Sequence, residues 1–221
     1  MKIFDIKNRV KLYNCNDFQS LGKLSHFSED DEIIEHLAEA SDEAWFALIE
    51  GDVEIEGNLD LDKFFEDIIS TFSKNSDDYI QLLWITGKLN ISKTLHIQEN
   101  QNYCDDMVVE GDVMIKNIIA GGINLYFLKD LNILDIYYSK SGAEGMLFTE
   151  GKENIRIETD NNNIWKINKK RYEFNKGVSK KQVQKILTGT YDFLNFDEEL
   201  YYLENEKPFI KALLNDNIIL N

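Results

Sequence analysis

A short phrase of alternating apolar and polar residues recurs along the chain, and this repetition limits the possible folds more than any other feature. Its clearest copies are IEGDVEI (Ile49–Ile55), ITGKLNI (Ile85–Ile91) and VEGDVMI (Val109–Ile115). A fourth copy, Phe127–Ile133, keeps the apolar positions but has Lys129 in place of glycine. A fifth, Leu147–Ile157, keeps Gly151 and then drifts out of register. The glycine position of the phrase therefore falls at 51, 87, 111, 129 and 151, which we call the marker positions.

The spacing of the copies predicts stacked β structure. Apolar residues two apart are typical of a strand, and each copy is too short to form a sheet with itself. After a first gap of 36 residues, successive markers are separated by 24, 18 and 22 residues. We therefore predict a mostly β protein, a single-stranded β-solenoid (parallel β-helix) of about five coils. Glycine at the markers suits a bend with positive φ or close approach between coils. The alternative is a flat antiparallel meander, which would not require the residues around glycine to recur.

Helical patterns interrupt and flank the repeats. The long first gap holds an amphipathic pattern near 62–73, which predicts a helix inserted into a connection between coils. Towards the N-terminus, a start at Ser28 that resembles a capping box precedes another segment of helical periodicity. Further helices are predicted at Ser179–Leu187 and at Asp197–Asn217, the latter split into two around Pro208. Because bare strand edges recruit other chains, we expect helices to cap both ends of the solenoid.

The predicted organisation has three parts within one structural domain. Residues 1–45 form an N-terminal segment with a helical cap, 46–168 the β-solenoid with its inserted helix, and 169–221 a C-terminal helical region. The chain has 221 residues, of which 43% are hydrophobic, so it can bury a substantial core.

The charge of the chain restricts its partners. It has 40 acidic and 24 basic residues, a formal net charge of −16. This excess argues against general nucleic-acid binding, since phosphate contacts require Lys and Arg. Two interpretations remain: the charge keeps the protein soluble, or it attracts a basic partner through a long-range field. The segment Ile164–Lys185 runs against the trend with a net charge of +7, so it contacts an anionic ligand, folds onto the acidic body or faces solvent.

The N-terminal stretch and the cysteines indicate a cytoplasmic protein. MKIFDIKNRVKLYN carries charges every few positions, unlike a secretory signal. The sequence contains no apolar run of the roughly 20 residues that a spanning helix requires, so no membrane partner is expected. Cys15 and Cys104 have neither CxxC spacing nor a histidine partner, which favours reduced thiols over a disulfide.

No motif in the sequence names a reaction. The three histidines do not stand in HExxH or HxH, and none is paired with cysteine. Asn58, Asp60 and Asp62 alternate like the start of a calcium loop, but the glycine that such a loop requires at its sixth position is absent. We therefore predict no catalytic, cofactor-binding or metal-binding residue, and a protein that is not an enzyme.

The repeats resemble those of a group of bacterial β-solenoid proteins in the phrases LIEGDVEIEGNLDLD, LLWITGKLNI and VVEGDVMIKNIIAGGINLYFLKDLNI. The resemblance covers about Phe46 to Asp160, and it is specific for the fold rather than for an activity. Some such proteins look like immunity proteins of polymorphic or contact-dependent toxin systems. A more distant likeness is to bactofilin-type solenoids, which form polymers. Three features argue against an end-to-end polymer: Lys129 in place of glycine, the degenerate fifth copy and the helical flanks.

These features predict a non-enzymatic, acidic binding protein. The resemblance implies an immunity protein that neutralises a basic bacterial toxin by covering its active site, and a nuclease domain is one candidate partner. A homodimer is left open. The residues expected to bind the partner are Glu29, Asp30, Asp31, Glu32, Glu50, Asp52, Glu54 and Glu56. The alternatives are a self-associating solenoid scaffold and a carbohydrate-active β-helix enzyme.

Overall fold

The structure of the protein is a computed structural model. It describes residues 6, 8–28, 31–72, 75, 77–97, 106–139, 145–160, 164–167, 170–173, 194–197, 200–203 and 206–217. The described helices are α1 (Cys15–Ser20), a 3₁₀ helix (Lys23–His26), α2 (Glu32–Glu39), α3 (Leu61–Phe72) and α4 (Glu206–Leu214). The described strands are β1 (Val10–Tyr13), β2 (Ala44–Ile49), β3 (Val53–Ile55), β4 (Leu59–Asp60), β5 (Tyr79–Ile85), β6 (Leu89–His96), β7 (Asp106–Val109), β8 (Val113–Ala120), β9 (Asn124–Phe127), β10 (Leu131–Ser139), β11 (Leu147–Thr149), β12 (Glu153–Asp160), β13 (Ile164–Ile167), β14 (Lys170–Glu173), β15 (Leu194–Asp197) and β16 (Leu200–Leu203).

Each copy of the repeated phrase is divided at its marker into two strands that belong to different sheets. The first sheet contains the five strands that precede the markers, with β1 added at one edge, in the order β1-β2-β5-β7-β9-β11. The second sheet contains the five strands that follow the markers, with β13 and β14 added at one edge, in the order β14-β13-β12-β10-β8-β6-β3, and β4 lies beside β6. Within the described parts of these sheets, neighbours pair in parallel except β1 with β2, β12 with β13, and β13 with β14. The chain thus crosses from one sheet to the other within each repeat, and the two sheets enclose a core.

The predicted fold class, a single-stranded β-solenoid (parallel β-helix) with helical caps at both ends, is wrong. The described chain instead has two mostly parallel sheets and four α-helices in a layered arrangement. The alternation of apolar and polar residues indicates strands, but it does not show that consecutive strands belong to different sheets. It also carries no information about where a helix packs, and α1, α2 and α4 lie against the faces of the sheets.

The helix α3, at Leu61–Phe72, lies where the sequence predicts an insertion near 62–73. It follows β4 and precedes β5, and its apolar face joins the core between the sheets. The buried residues of that face are Leu61, Phe64, Phe65 and Ile68. Among the described residues, no helix combines the length and the apolar character that crossing a membrane requires.

The C-terminal part differs from its prediction. The segment Ser179–Leu187, expected to be helical, lies outside the described residues. Where a helix is predicted to begin at Asp197, the chain forms an antiparallel pair of strands, β15 with β16. The helix α4 begins at Glu206 and contains Pro208 in its first turn, where a missing N–H breaks no helical hydrogen bond. Pro208 therefore lies near the start of one helix instead of separating two.

The core between the sheets consists of columns of equivalent residues, one from each repeat. Parallel pairing places Val53 beside Leu89, Leu89 beside Val113, and Val113 beside Leu131. All four side chains are buried, and burial of such a side chain contributes about 1.5–3 kcal/mol. The next member of the column, Glu153, is exposed, so this column of the core ends at the fifth repeat.

The turns at the markers stack so closely that the positions of Gly87, Gly111 and Gly151 leave no room for a Cβ atom. A Cβ atom added to Gly87 would lie 2.3 Å from the carbonyl carbon of Gly51, and one added to Gly111 would lie 2.6 Å from that of Gly87. The Gly111 N–H donates to the Gly87 carbonyl at 3.1 Å. At Gly87 and Gly111, glycine is required because the backbones of neighbouring turns approach closely. At Gly51 it is favoured because the backbone is left-handed, with a φ of 78°.

Side chains in the turns add bonds between repeats. Asp52 Oδ1 accepts a hydrogen bond from the Lys88 N–H at 2.9 Å, and Asp130 Oδ1 accepts one from the Lys152 N–H at 2.9 Å. Lys88 Nζ lies 3.2 Å from Asp112 Oδ2 in an exposed ion pair. Asp52 and Asp130 therefore hold the backbone of the following turn as well as being in contact with the solvent-facing surface of the stack.

The helix α4 covers part of the outer face of the second sheet. Phe209 packs edge to face on Tyr138, with ring centroids 5.2 Å apart. The Thr94 hydroxyl donates to the carbonyl of Leu213 at 3.3 Å, and Asn58 Nδ2 donates to that of Leu214 at 2.9 Å. These contacts place α4 on the side of the stack, not at its end.

Replacing Gly111 with alanine should lower the free energy of unfolding by about 2–3 kcal/mol, because the new Cβ would overlap the backbone of Gly87 and Lys88. Lys129→Ala is the matched control, since that marker already carries a Cβ, and it should change the stability by less than about 0.5 kcal/mol. Urea unfolding followed by tryptophan fluorescence measures both effects. Similar losses in the two variants would contradict the role assigned to close stacking.

The Tyr137 hydroxyl should make the fold sensitive to alkali, since burial raises the pKa of this residue to about 12. An unfolded tyrosine ionises near pH 10, so stability is retained below pH 10 and falls by roughly 1.4 kcal/mol per pH unit between pH 10 and pH 12. Tyr137→Phe should lose less stability than the wild type between pH 8 and pH 11 in urea unfolding. An identical loss in both proteins would show that another group controls alkaline unfolding.

Candidate functional site

A column of outward-facing residues on the first sheet leads to the candidate site. Its members stand three residues before the markers and are Leu48, Trp84, Val108, Tyr126 and Phe148. Parallel pairing aligns them across β2, β5, β7, β9 and β11. Three of the five are aromatic, so the outer face of this sheet carries a second apolar layer besides the core between the sheets.

The N-terminal segment, which contains α1, the 3₁₀ helix and α2, covers most of this column. The ring centroid of Phe18 lies 5.6 Å from that of Trp84, and Phe27 lies 6.0 Å from Trp84 and 5.3 Å from Tyr126. Phe148 stacks in parallel on Tyr126 at 4.7 Å, yet it remains 39% exposed. The N-terminal segment therefore covers the column as far as Tyr126 and leaves its last residue, Phe148, exposed.

An open pocket of about 220 Å³ lies where the cover stops. We call it the β11 pocket, and the described residues lining it are His26, Phe27, Asp31, Tyr126, Phe127, Leu128, Phe148, Thr149 and Glu150. It is smaller than the roughly 300–1,000 Å³ of pockets that enclose small-molecule ligands. A single side chain or a small head group fits this size better than a cofactor does.

Two carboxylates border the β11 pocket, and none of its described lining residues is Lys or Arg. Asp31 occupies the N-cap position of α2 without a side-chain hydrogen bond to that helix, and its Oδ2 accepts a hydrogen bond from the Ser28 N–H at 2.7 Å. Glu150 follows β11 directly, and its side chain is exposed. Burial, reinforced by the charges of nearby carboxylates, raises the pKa of Tyr126 well above its usual value, so that hydroxyl stays neutral. The pocket combines apolar walls with negative charge.

A buried polar network beside the pocket holds α2 in place. Asp106 is 1% exposed, and its Oδ2 lies 2.8 Å from His36 Nδ1 on α2. Asn124 Nδ2 donates to Asp106 Oδ1 at 3.2 Å and to Glu32 Oε2 at 3.1 Å. Asn124 Oδ1 in turn accepts from the Met146 N–H at 3.0 Å, just before β11. This network joins α2 to three successive repeats and so fixes Asp31 at the mouth of the pocket.

A second group of polar contacts holds the 3₁₀ helix against the first sheet. Glu110 Oε1 accepts hydrogen bonds from Lys23 Nζ at 2.6 Å and from Trp84 Nε1 at 2.7 Å. The same Lys23 ammonium lies 5.9 Å from the centroid of the Trp84 ring. The indole N–H is thus satisfied inside the apolar layer, and the segment bearing His26 and Phe27 is anchored to the sheet.

The structure does not bring the predicted partner-binding residues together. Glu29 and Asp30 lie outside the described residues. Asp31 lines the β11 pocket, and Glu32 belongs to the polar network. Glu50 lies after β2, toward the other edge of the first sheet, in an ion pair with Lys11 that lowers the pKa of the glutamate.

The remaining predicted residues lie near Glu50 rather than near the pocket. Asp52 is exposed, but one of its oxygens bonds to the next turn. Glu54 and Glu56 are exposed at the first repeat of the second sheet. The six predicted residues that the structure describes thus divide between two places, with Asp31 and Glu32 beside the pocket and the other four at the first repeat.

Sequence reasoning missed most of the pocket. Phe148 and Glu150 lie in the fifth copy, which drifts out of register after Gly151, although the residues before Gly151 align with the other copies. Reading the column three residues before each marker would have grouped Phe148 with Trp84 and Tyr126. Neither His26 nor Phe27 has such a signal, because both come from outside the repeats.

The described residues contain no group of three or more His, Cys, Asp or Glu arranged to hold a metal ion. Comparison of the chain with protein-family models, with curated proteins and with solved structures found no match. The resemblance to immunity proteins of toxin systems and to bactofilin-type solenoids therefore stays a prediction.

Asp106→Ala should lower the free energy of unfolding by about 2–3 kcal/mol, because it leaves the Asn124 amide and the His36 ring without their buried acceptor. Asp106→Asn keeps the shape and an acceptor oxygen, and it should cost less than half as much. Tryptophan fluorescence during urea unfolding measures both losses. Equal losses of stability in the two variants would mean that the polar network around Asp106 does not contribute to the free energy of unfolding.

Proposed function

We propose that this chain is a non-enzymatic, cytoplasmic binding protein that neutralises a basic bacterial toxin by covering its active site. The observation that carries the proposal is the uncovered end of the first sheet, where exposed Phe148 lines the same pocket as Asp31 and Glu150. The proposed mechanism is steric, with an electrostatic component, and it requires no chemistry from the chain.

The composition of this end suits a protein partner. Binding energy at interfaces concentrates in aromatic residues at the centre, surrounded by a polar rim. Phe148 is 39% exposed and Met146 is 41% exposed, and both belong to or flank β11. Asp31 and Glu150 stand at the rim of the same pocket. A partner that buries Phe148 would also approach both carboxylates.

The net charge of −16 supports a basic partner in a second way. Long-range attraction raises the rate of association and selects partners of opposite charge, without any direct contact. The exposed Glu54 and Glu56, remote from the pocket, contribute to this field. We assign them to steering, whereas Asp31 and Glu150 are assigned to contact.

The histidine–carboxylate pair of the polar network supports binding over catalysis. A general base must reach the proton that it removes from a substrate. Neither His36 nor Asp106 is among the described residues that line the β11 pocket, and Asp106 is buried beneath α2. Their contacts fix the N-terminal segment on the sheet.

A self-associating scaffold is the second candidate, because β11 is the last strand of the first sheet in the described chain. An open edge of this kind can pair with a second copy. Light scattering over a range of protein concentrations separates the two functions: growing assemblies favour the scaffold, and a constant small size favours the binding protein.

The purified protein should bind the toxin encoded beside its gene and abolish the toxin's activity at an equimolar ratio. Calorimetry with an inactive toxin variant should show affinity that weakens about tenfold or more between 0.1 M and 1 M salt, as the Debye length falls from about 10 Å to 3 Å. Phe148→Ala should weaken binding by about 10- to 100-fold. The matched control is Leu134→Ala, since Leu134 is 50% exposed on the second sheet. If the wild-type protein shows no binding, the proposed function is wrong.

A further inference from the structure

We infer that the β11 pocket binds the guanidinium group of an arginine side chain that the basic partner presents. This inference rests on the proposed function, and it names the group that the pocket recognises. Three features of the pocket point to that group: its charge, its aromatic wall and its size.

The charge of the pocket selects a cation. Asp31 and Glu150 are its carboxylates, and His26 is the one described lining residue able to carry a positive charge. The hydrogen bond from the Ser28 N–H uses Oδ2 of Asp31, and a carboxylate keeps further acceptor sites on its other oxygen. An anion would meet two negative charges here, and a neutral group would leave both charges uncompensated.

The aromatic wall selects a flat cation. Phe148 and Tyr126 are parallel within 3°, and Phe148 is the exposed member of the stack. A guanidinium plane stacks on an aromatic face and at the same time donates hydrogen bonds from its edge to carboxylates. An ammonium group is compact and strongly hydrated, so it gains less from such a wall. The arrangement of wall and carboxylates therefore favours arginine over lysine.

The size and openness of the pocket favour a side chain over a free ligand. Its volume of about 220 Å³ lies below that of pockets which enclose small molecules. Phe148 lines the pocket, Met146 stands two residues before it in the chain, and both are exposed, so a partner surface can contact them. An arginine of that surface would lay its guanidinium plane on Phe148 and donate from its edge to Asp31 and Glu150.

The test uses three probes on the full-length, isotope-labelled protein: Nα-acetyl-arginine amide, its citrulline analogue and Nα-acetyl-lysine amide. Citrulline has nearly the same shape as arginine but no charge. We expect the arginine probe to shift the backbone amide resonances of Leu128, Thr149 and Glu150. The citrulline probe should bind about tenfold more weakly, and the lysine probe about threefold more weakly. Equal affinity for arginine and citrulline, or for arginine and lysine, would overturn the inference.

Two double variants separate the pocket from the general charge of the protein. Asp31→Asn with Glu150→Gln should weaken binding of the arginine probe about tenfold. Glu54→Gln with Glu56→Gln removes the same charge from the second sheet and should change the affinity by less than about twofold. Phe148→Ala should weaken the arginine probe more than the lysine probe. An equal loss of affinity for the arginine probe in the two double variants would mean that only the net charge of the protein affects binding, and the inference would fail.

The outcomes distinguish this inference from the proposed function. A pocket that selects the arginine probe in a protein that does not bind the toxin would overturn the function and keep the inference. Toxin binding that is unaffected by Asp31→Asn with Glu150→Gln would keep the function and overturn the inference. Light scattering completes the test, since a dimer that the arginine probe dissociates would assign the pocket to a second copy of this chain.

Discussion

The close stacking of the marker turns is the constraint on which the rest of the structure depends. Backbone atoms of consecutive turns come within hydrogen-bonding distance, as between the Gly111 N–H and the Gly87 carbonyl at 3.1 Å. This contact holds the third repeat in register with the second, and backbone bonds such as those from the Thr86 N–H to the Ile49 carbonyl and from the Leu128 N–H to the Val109 carbonyl join other repeats. Because side chains alternate across a strand, register decides which residues face the core. A slip of one residue in β8 would replace buried Val113 with exposed Met114.

The same register produces the candidate site. It aligns Trp84, Tyr126 and Phe148 on the outer face of the first sheet, and the N-terminal segment buries the first two. The network around Asp106 holds α2 where Asp31 meets the last repeat. A binding surface requires a rigid base and an accessible aromatic group, and an incomplete cover over a stacked sheet provides both.

Acidic residues have separate tasks in this fold, although they look alike in the sequence. Asp52 accepts a backbone hydrogen bond of the next turn, and Glu50 is paired with Lys11. The pocket brings Asp31 and Glu150 together from parts of the chain far apart in sequence. In the proposed function, the total charge would attract a basic partner over distance, while these two pocket carboxylates would give selectivity. Counting carboxylates could not separate these tasks, because all of them contribute equally to a net charge.

The sequence by itself determined the features that depend on neighbouring residues. Alternation located most strands of the repeats, the markers located the tight turns, and helical periodicity located the insertion near 62–73 that became α3. Of the candidate site, only Asp31 was among the predicted residues. The tertiary structure alone decided that the repeats divide between two sheets, that helices cover faces, and that the aromatic column ends exposed at Phe148. The physical reason is that these features rest on contacts such as Phe27 with Tyr126 and His36 with Asp106, which join distant segments and leave no local pattern.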